Sequence, residues 1–206
     1  MSRHRNSGTN RNARHNQHND FSVALPAGTA EDLYLMCQKE SAPIFLFLDG
    51  VQDPHNLGAC LRTAEGAGID AIVIPQKGSV KVTNTVIEIS CGAAAHIPVI
   101  PIQNFRQVLT RLKKQGCTII GTSDQATQTL YQTDLRKPLC LIVGNEATGV
   151  RKMTLDRCDH VVKIPMIGKV PCLNVSVSTG IFLYEIVRQR HHAFSLPYPN
   201  QASEKS

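Results

Sequence analysis

The chain has 206 residues, 42% of them hydrophobic, and a net charge of +6 from 22 Lys and Arg against 16 Asp and Glu. That is enough for one domain with a sizeable core, and no apolar run reaches the roughly 18 residues of a membrane span. No apolar stretch follows the charged N-terminus, so no secretory signal peptide is expected and the expected location is the cytoplasm.

The first twenty residues carry Arg3, Arg5, Arg11 and Arg14 and almost nothing apolar. Such a segment cannot offset its ordering entropy by burial, so residues 1–29 are expected to be a disordered basic tail. The tail has two readings, an electrostatic arm for RNA phosphates or a solubilising extension. Residues 30–40 read as a short amphipathic helix. The ordered domain is expected over 30–192, followed by a loose tail over 193–206 that contains Pro197 and Pro199.

Within the domain, apolar runs alternate with helical periodicity. IFLFL (44–48) predicts a buried strand, and a helix follows from Asn56 to Ala67. AIVIP (71–75) is a second strand, residues 83–91 a helix, and HIPVIP a short third strand. Helix 104–115 precedes strand CTIIG (117–121), then LCLIVG (139–144) and HVVKIP (160–165). The last helix runs from Asn174 to Arg190, with Val177, Ile181, Tyr184 and Val187 at helical spacing. Continuous apolar strands alternating with helices imply an α/β fold, a mostly parallel sheet covered on both faces.

The seven cysteines are odd in number, and none forms a C-x-x-C pair. Most of them read as reduced, buried small hydrophobes, and no zinc site is expected. The basic balance suits a polyanionic partner, though it is not specific to one. The few aromatics and the absence of Trp argue against a module that stacks bases on aromatic platforms.

In open α/β sheets ligands sit beyond the carboxyl ends of the strands, and three strand exits here are unusual. In LDGVQDPHNLGACLRTAEGAG, Asn56 reads as a helix N-cap, and Gly58 permits close approach of a partner. Arg62, nearly two turns on, can bind phosphate or pair with Glu65. In LIVGNEATGV, two glycines flank Asn145 and Glu146; this is a ligand-wrapping loop or an ordinary turn, and neither a dinucleotide fingerprint nor a P-loop. In KIPMIGKVPCLNVSVSTG, Asn174, Ser176 and Ser178 place polar groups on the first turn of the last helix, where Asn174 also reads as a simple N-cap.

Taken together and in this order, NLGACLRTA, LIVGNEATGV and IPMIGKVPCLNVSVSTG resemble the three motifs of the SpoU (TrmH-like) RNA ribose 2′-O-methyltransferases of the SPOUT superfamily. The resemblance covers about residues 44–190. LDGVQDPHNLGAC most resembles the bacterial members that methylate a guanosine of large-subunit ribosomal RNA. It implies a C-terminal trefoil knot, with loops 144–150 and 165–173 gripping S-adenosylmethionine. Gly144, Ile164 and Leu173 match positions of the adenosyl pocket, with Thr122 and Met166 as neighbours. It implies a homodimer joined through the last helix and the first motif, with catalytic sites that borrow from both subunits. Arg62 would be the main catalytic and RNA-binding residue, with Asn56, Glu146 and Asn174 beside it.

Two departures from that pattern stand out. Cys172 occupies a position where Ser is usual, and a thiol is the weaker hydrogen-bond donor. Ribosomal-RNA relatives often carry an N-terminal RNA-binding domain, whereas 43 residues precede Ile44 here. Ribosomal RNA is therefore the expected substrate and transfer RNA the alternative. Readings from other classes are a non-catalytic RNA-binding protein with a relic cofactor pocket, and an unrelated nucleotide-binding α/β protein.

Overall fold

The computed structural model describes residues 25–38 and 42–191; Arg3, Arg5, Arg11 and Arg14, and the tail after residue 191, lie outside it. Helix α1 (Ala30–Cys37) precedes β1 (Ile44–Asp49), α2 (Pro54–Gly66), β2 (Ala71–Pro75), α3 (Asn84–Ile89) and β3 (Val99–Ile102). Then come α4 (Phe105–Lys114), β4 (Thr118–Thr122), β5 (Gln128–Thr129), β6 (Leu139–Gly144), α5 (Lys152–Leu155), β7 (His160–Lys163) and α6 (Val175–Arg190). The strands form one sheet in the order β3-β2-β1-β6-β4-β7-β5, and every pairing is parallel.

The strands were readable because the sheet is covered on both faces. All six residues of β1 are buried. Leu46 and Leu48 join one core with residues of α2, α3 and α6, while Phe45 and Phe47 join the other with residues of α1 and α4. Phe47 meets Phe105 of α4 edge-on, with ring centroids 5.2 Å apart at 81°. Such a pair adds about 0.5–1.5 kcal/mol beyond area burial. Residues before α1 also pack, since a Cβ on Gly28 would lie 2.8 Å from the Ile100 side chain.

Four details differ from the sequence reading. The cap of α2 is Asp53, whose side chain accepts from the His55 amide at 2.9 Å, with Pro54 in the first turn. Proline has no amide to leave unsatisfied there and sets φ for the helix, so the helix starts before Asn56. Gly58 serves packing against α3, because a Cβ there would sit 2.7 Å from Ile89. Strand β7 stops at Lys163, short of Ile164-Pro165. In α6 the buried face is Val175, Thr179, Phe182, Leu183, Glu185 and Ile186, whereas Val177 and Tyr184 are about half exposed, at 52% and 49%.

The order of strands positions the site. After β3 the chain returns to the far side of β1, and β6 fills the place between β1 and β4. The direction of winding reverses there, and the strand ends Gly144, Thr122 and Lys163 open into one crevice.

Candidate functional site

The loop leaving β6 is tight because its backbone folds onto itself. Asn145 N–H donates to the Gly149 carbonyl at 3.1 Å, and Gly149 N–H returns to Asn145 at 2.8 Å. A Cβ on Gly144 would lie 2.0 Å from the Gly149 carbonyl carbon and 2.1 Å from Val150 N, so only glycine fits. The Asn145 side chain caps the turn, accepting from the Ala147 amide at 2.8 Å and donating to the Gly50 carbonyl at 2.8 Å. Beyond the loop, Asp49 is almost wholly buried and accepts from the Arg151 guanidinium, the Arg151 amide at 3.2 Å and Thr154 Oγ1 at 3.1 Å. This clamp between the β1 exit and the loop was missed in the sequence. Its signal was a carboxylate directly behind five apolar residues.

The loop walls a cavity of about 310 Å³. Its apolar wall includes Val143, Val162 and Phe182, and its polar rim includes Ser123, Asp124 and Ser178. Thr122, Gly144, Ile164, Met166 and Leu173 all line it. They come from three strand exits far apart in sequence. The Thr122 hydroxyl is engaged with the Ile142 carbonyl at 3.0 Å, tying the β4 exit to β6.

Glu146 lies on the same cavity and begins a hydrogen-bonded chain. Asn56 Nδ2 donates to Glu146 Oε1 at 2.6 Å, and Asn174 Nδ2 donates to Asn56 Oδ1 at 3.1 Å. Asn174 also caps α6, its Oδ1 accepting from Ser176 N at 2.9 Å, Ser176 Oγ at 2.6 Å and Val177 N at 3.4 Å. The structure thus joins Asn56, Glu146 and Asn174, residues from all three motifs.

Arg62 is elsewhere within the chain. It is exposed on α2, and its Nη1 donates to Cys91 Sγ at 3.3 Å rather than to Glu65. It opens on a separate cavity shared with Glu65, Cys91, His96 and Tyr184. Among the described residues no cluster of His, Cys, Asp and Glu could hold a metal ion, and no helix is long and apolar enough to cross a membrane.

A parallel sheet with a reversal point, a glycine-gated loop and a polar chain uniting three motifs define an α/β protein with a ligand site at its strand exits. The model of the SpoU rRNA Methylase family matches residues 43–184, and the chain belongs to that family. It is 46% identical over 156 residues to the Pseudomonas aeruginosa protein named 23S rRNA (guanosine-2'-O-)-methyltransferase RlmB, covering 76% of this chain and 63% of that one. The Pasteurella multocida protein of the same name is 48% identical over 160 residues, covering 77% and 65%. The chain thus spans a little under two thirds of the length of these relatives. Among solved structures, the A. aeolicus TrmH/SpoU tRNA modifying enzyme is similar at a TM-score of 0.67 and 31% identity, covering 78% of this chain and 82% of that one. The SpoU methyltransferase AviRb from Streptomyces viridochromogenes, solved with AdoMet, shares the fold at a TM-score of 0.72 and 23% identity, covering 80% and 66%.

Proposed function

We propose that the chain transfers the methyl group of S-adenosylmethionine to a ribose 2′-hydroxyl of RNA, and that the target is a guanosine of 23S ribosomal RNA. One observation carries the reading: the cavity at the strand exits is bordered by Glu146, which is hydrogen-bonded to Asn56 and through it to Asn174. The names of the relatives from Pseudomonas aeruginosa and Pasteurella multocida support the guanosine and the ribosomal RNA.

The residues present fit the cofactor. The glycine-gated turn brings main chain to the cavity, Val143, Val162 and Leu173 offer apolar surface to a purine, and Asp124 brings a carboxylate suited to a positively charged group. Thr122, Gly144, Ile164, Met166 and Leu173 would hold it. Bound there, S-adenosylmethionine supplies an electrophilic methyl on a positively charged sulfur. The protein's remaining task is to orient and activate the hydroxyl. Glu146 and the two asparagines orient the nucleotide. Arg62 is a poor base, since a guanidinium carries five N–H donors and no acceptor. It serves as a phosphate anchor and stabilises the developing alkoxide. Arg3, Arg5, Arg11 and Arg14 add phosphate contacts. A C-terminal knot through loops 144–150 and 165–173 belongs to the same proposal.

Because Arg62 and the cavity open separately in one chain, the reading requires a homodimer in which Arg62 of one copy reaches the cavity of the other. The apolar stripe of Val177 and Tyr184 left on α6 supports such a contact. The test is methyl transfer from labelled cofactor to deproteinised ribosomal and transfer RNA, with the modified nucleotide mapped. Arg62→Ala is expected to abolish transfer while retaining cofactor binding by calorimetry. Mixed dimers of Arg62→Ala and Glu146→Ala chains are expected to regain activity that neither variant has alone. Label on transfer RNA alone would move the target, and near-normal turnover by Arg62→Ala would remove Arg62 from the chemistry.

A further inference from the structure

Five of the seven cysteines are buried or half-buried, and only Cys91 and Cys172 are exposed. Cys172 lines the cavity already described. Cys91 does not pack in a core, so its side chain needs another account.

Its backbone sharpens the question. Cys91 has φ +51° and the next residue, Gly92, has φ +92°. Two successive left-handed residues make a turn that favours glycine at both positions, so a side chain there is strained. The turn is fixed from below. Ser90 is fully buried, its Oγ donating to the Ile87 carbonyl at 2.7 Å and accepting from the Ala94 amide at 3.2 Å. The Cys91 amide donates to the Glu88 carbonyl at 3.1 Å. The thiol is therefore presented by a rigid but unfavourable conformation, and what it meets is Nη1 of Arg62 at 3.3 Å.

We infer that Cys91 is a positioning residue for Arg62, an acceptor that orients the guanidinium without neutralising it. This rests on the role proposed for Arg62 above. Among the described residues Arg62 forms no ion pair with a carboxylate. A carboxylate at position 91 would hold the side chain harder but would compete with RNA phosphate for the same fork. A thiol is a weak, uncharged acceptor. It occupies one nitrogen and leaves the positive charge and the other donors for phosphate and alkoxide.

The full chain, assayed on ribosomal RNA with labelled S-adenosylmethionine, separates positioning from folding. Cys91→Gly relieves the left-handed strain, so its melting midpoint is expected at or above that of the wild type. Its kcat is expected to fall about tenfold, the worth of one hydrogen bond lost in the transition state, with cofactor affinity unchanged. Cys91→Ser, which restores an acceptor, is expected to recover most of that loss. A merely structural residue would instead lose midpoint and kcat together. Wild-type kcat in Cys91→Gly, or a Cys91→Ser variant as impaired as the glycine, overturns the inference. Arg62→Ala run alongside distinguishes the two levels. If it is inactive while Cys91→Gly is normal, only the positioning role falls; if it is active, the role of Arg62 falls too.

Discussion

Replacing Gly144 by alanine tests whether the β6 exit is the structural gate of the cavity. The new Cβ would lie 2.0 Å from the carbonyl carbon of Gly149, and both contacts are main chain, which cannot rotate away. Restoring ordinary carbon separation moves residues 149–150 by roughly 1.5 Å. That opens the two main-chain bonds between Asn145 and Gly149. At ~1 kcal/mol each, their loss destabilises the fold by about 2 kcal/mol and lowers the melting midpoint by about 4–8 °C for a domain of this size. Residues 144–150 also form one wall of the cavity. If the displaced wall costs bound cofactor two hydrogen bonds, S-adenosylmethionine affinity falls roughly 30-fold. Calorimetric titration with the cofactor, together with thermal unfolding, measures both effects. A Gly144→Ala protein that binds and melts as the wild type does would refute the gate. One that melts lower but binds normally would place the cofactor elsewhere.

Other expectations concern thiols, acid and salt. Cys60 and Cys158 are pushed up to about 12 by burial, and Cys117 to about 12 chiefly by hydrogen bonding with the neighbouring Cys140 thiol, so their reactive thiolates are scarce near neutrality. Iodoacetamide at pH 8 should therefore label the exposed Cys91 and Cys172 first, as mass spectrometry of digests would show; early labelling of Cys60 would contradict the buried core. Glu185, buried on α6, is held below the ordinary glutamate value of 4.5 by its hydrogen bonds to Arg188, which outweigh the upward push of burial, with Gln189 assisting. A depressed acid stabilises the fold above its unfolded value and loses that contribution as pH falls below it. Urea midpoints of wild type and Glu185→Gln should converge below about pH 4.5, and parallel curves would dismiss the effect. Deleting residues 1–20 should flatten the salt dependence of RNA binding by about 0.7–0.9 in logarithmic slope for each Arg that contacts phosphate. An unchanged slope would leave the tail as a solubilising extension.

What the sequence could reveal depended on how local the determining forces are. Strand β1 was legible because burial on both faces demands an unbroken apolar run, and Gly144 because a main-chain crossing leaves room for nothing larger. Strand β5 has two residues and no pattern to detect. The N-cap of α2 was placed three residues late, although Asp53-Pro54 carried the signal of a cap followed by a first-turn proline. The apolar stripe on α6 was recognised, but its direction was not. Phe182, Leu183 and Ile186 compete with it around the same helix, and only the sheet decides which side is covered. Contacts such as Arg62 with Cys91, 29 residues apart, or Arg151 with Asp49, 102 apart, follow from the packing of elements and have no local signature.

The motif that departs from the family pattern at Cys172 bears on the proposed chemistry through the direction of its hydrogen bonds. Ser176 Oγ donates to Asn174, Asn174 to Asn56, and Asn56 to Glu146, so each donor points the same way and the chain ends on a carboxylate. Bonds aligned in this manner polarise one another, which fixes both amide orientations without a further partner. Among the described residues Cys172 makes no hydrogen bond to this chain, so a thiol in place of a hydroxyl leaves it intact. Glu146 Oε1 is taken by Asn56, and the other oxygen is available to accept from a hydroxyl presented at the cavity. In the proposed reaction this makes Glu146 a fixed acceptor that orients the ribose, set by residues of all three motifs within one chain. In the same proposal the positive charge that meets the phosphate is supplied by Arg62 of a second copy. Under that proposal the first motif contributes Asn56 to one site and Arg62 to its twin.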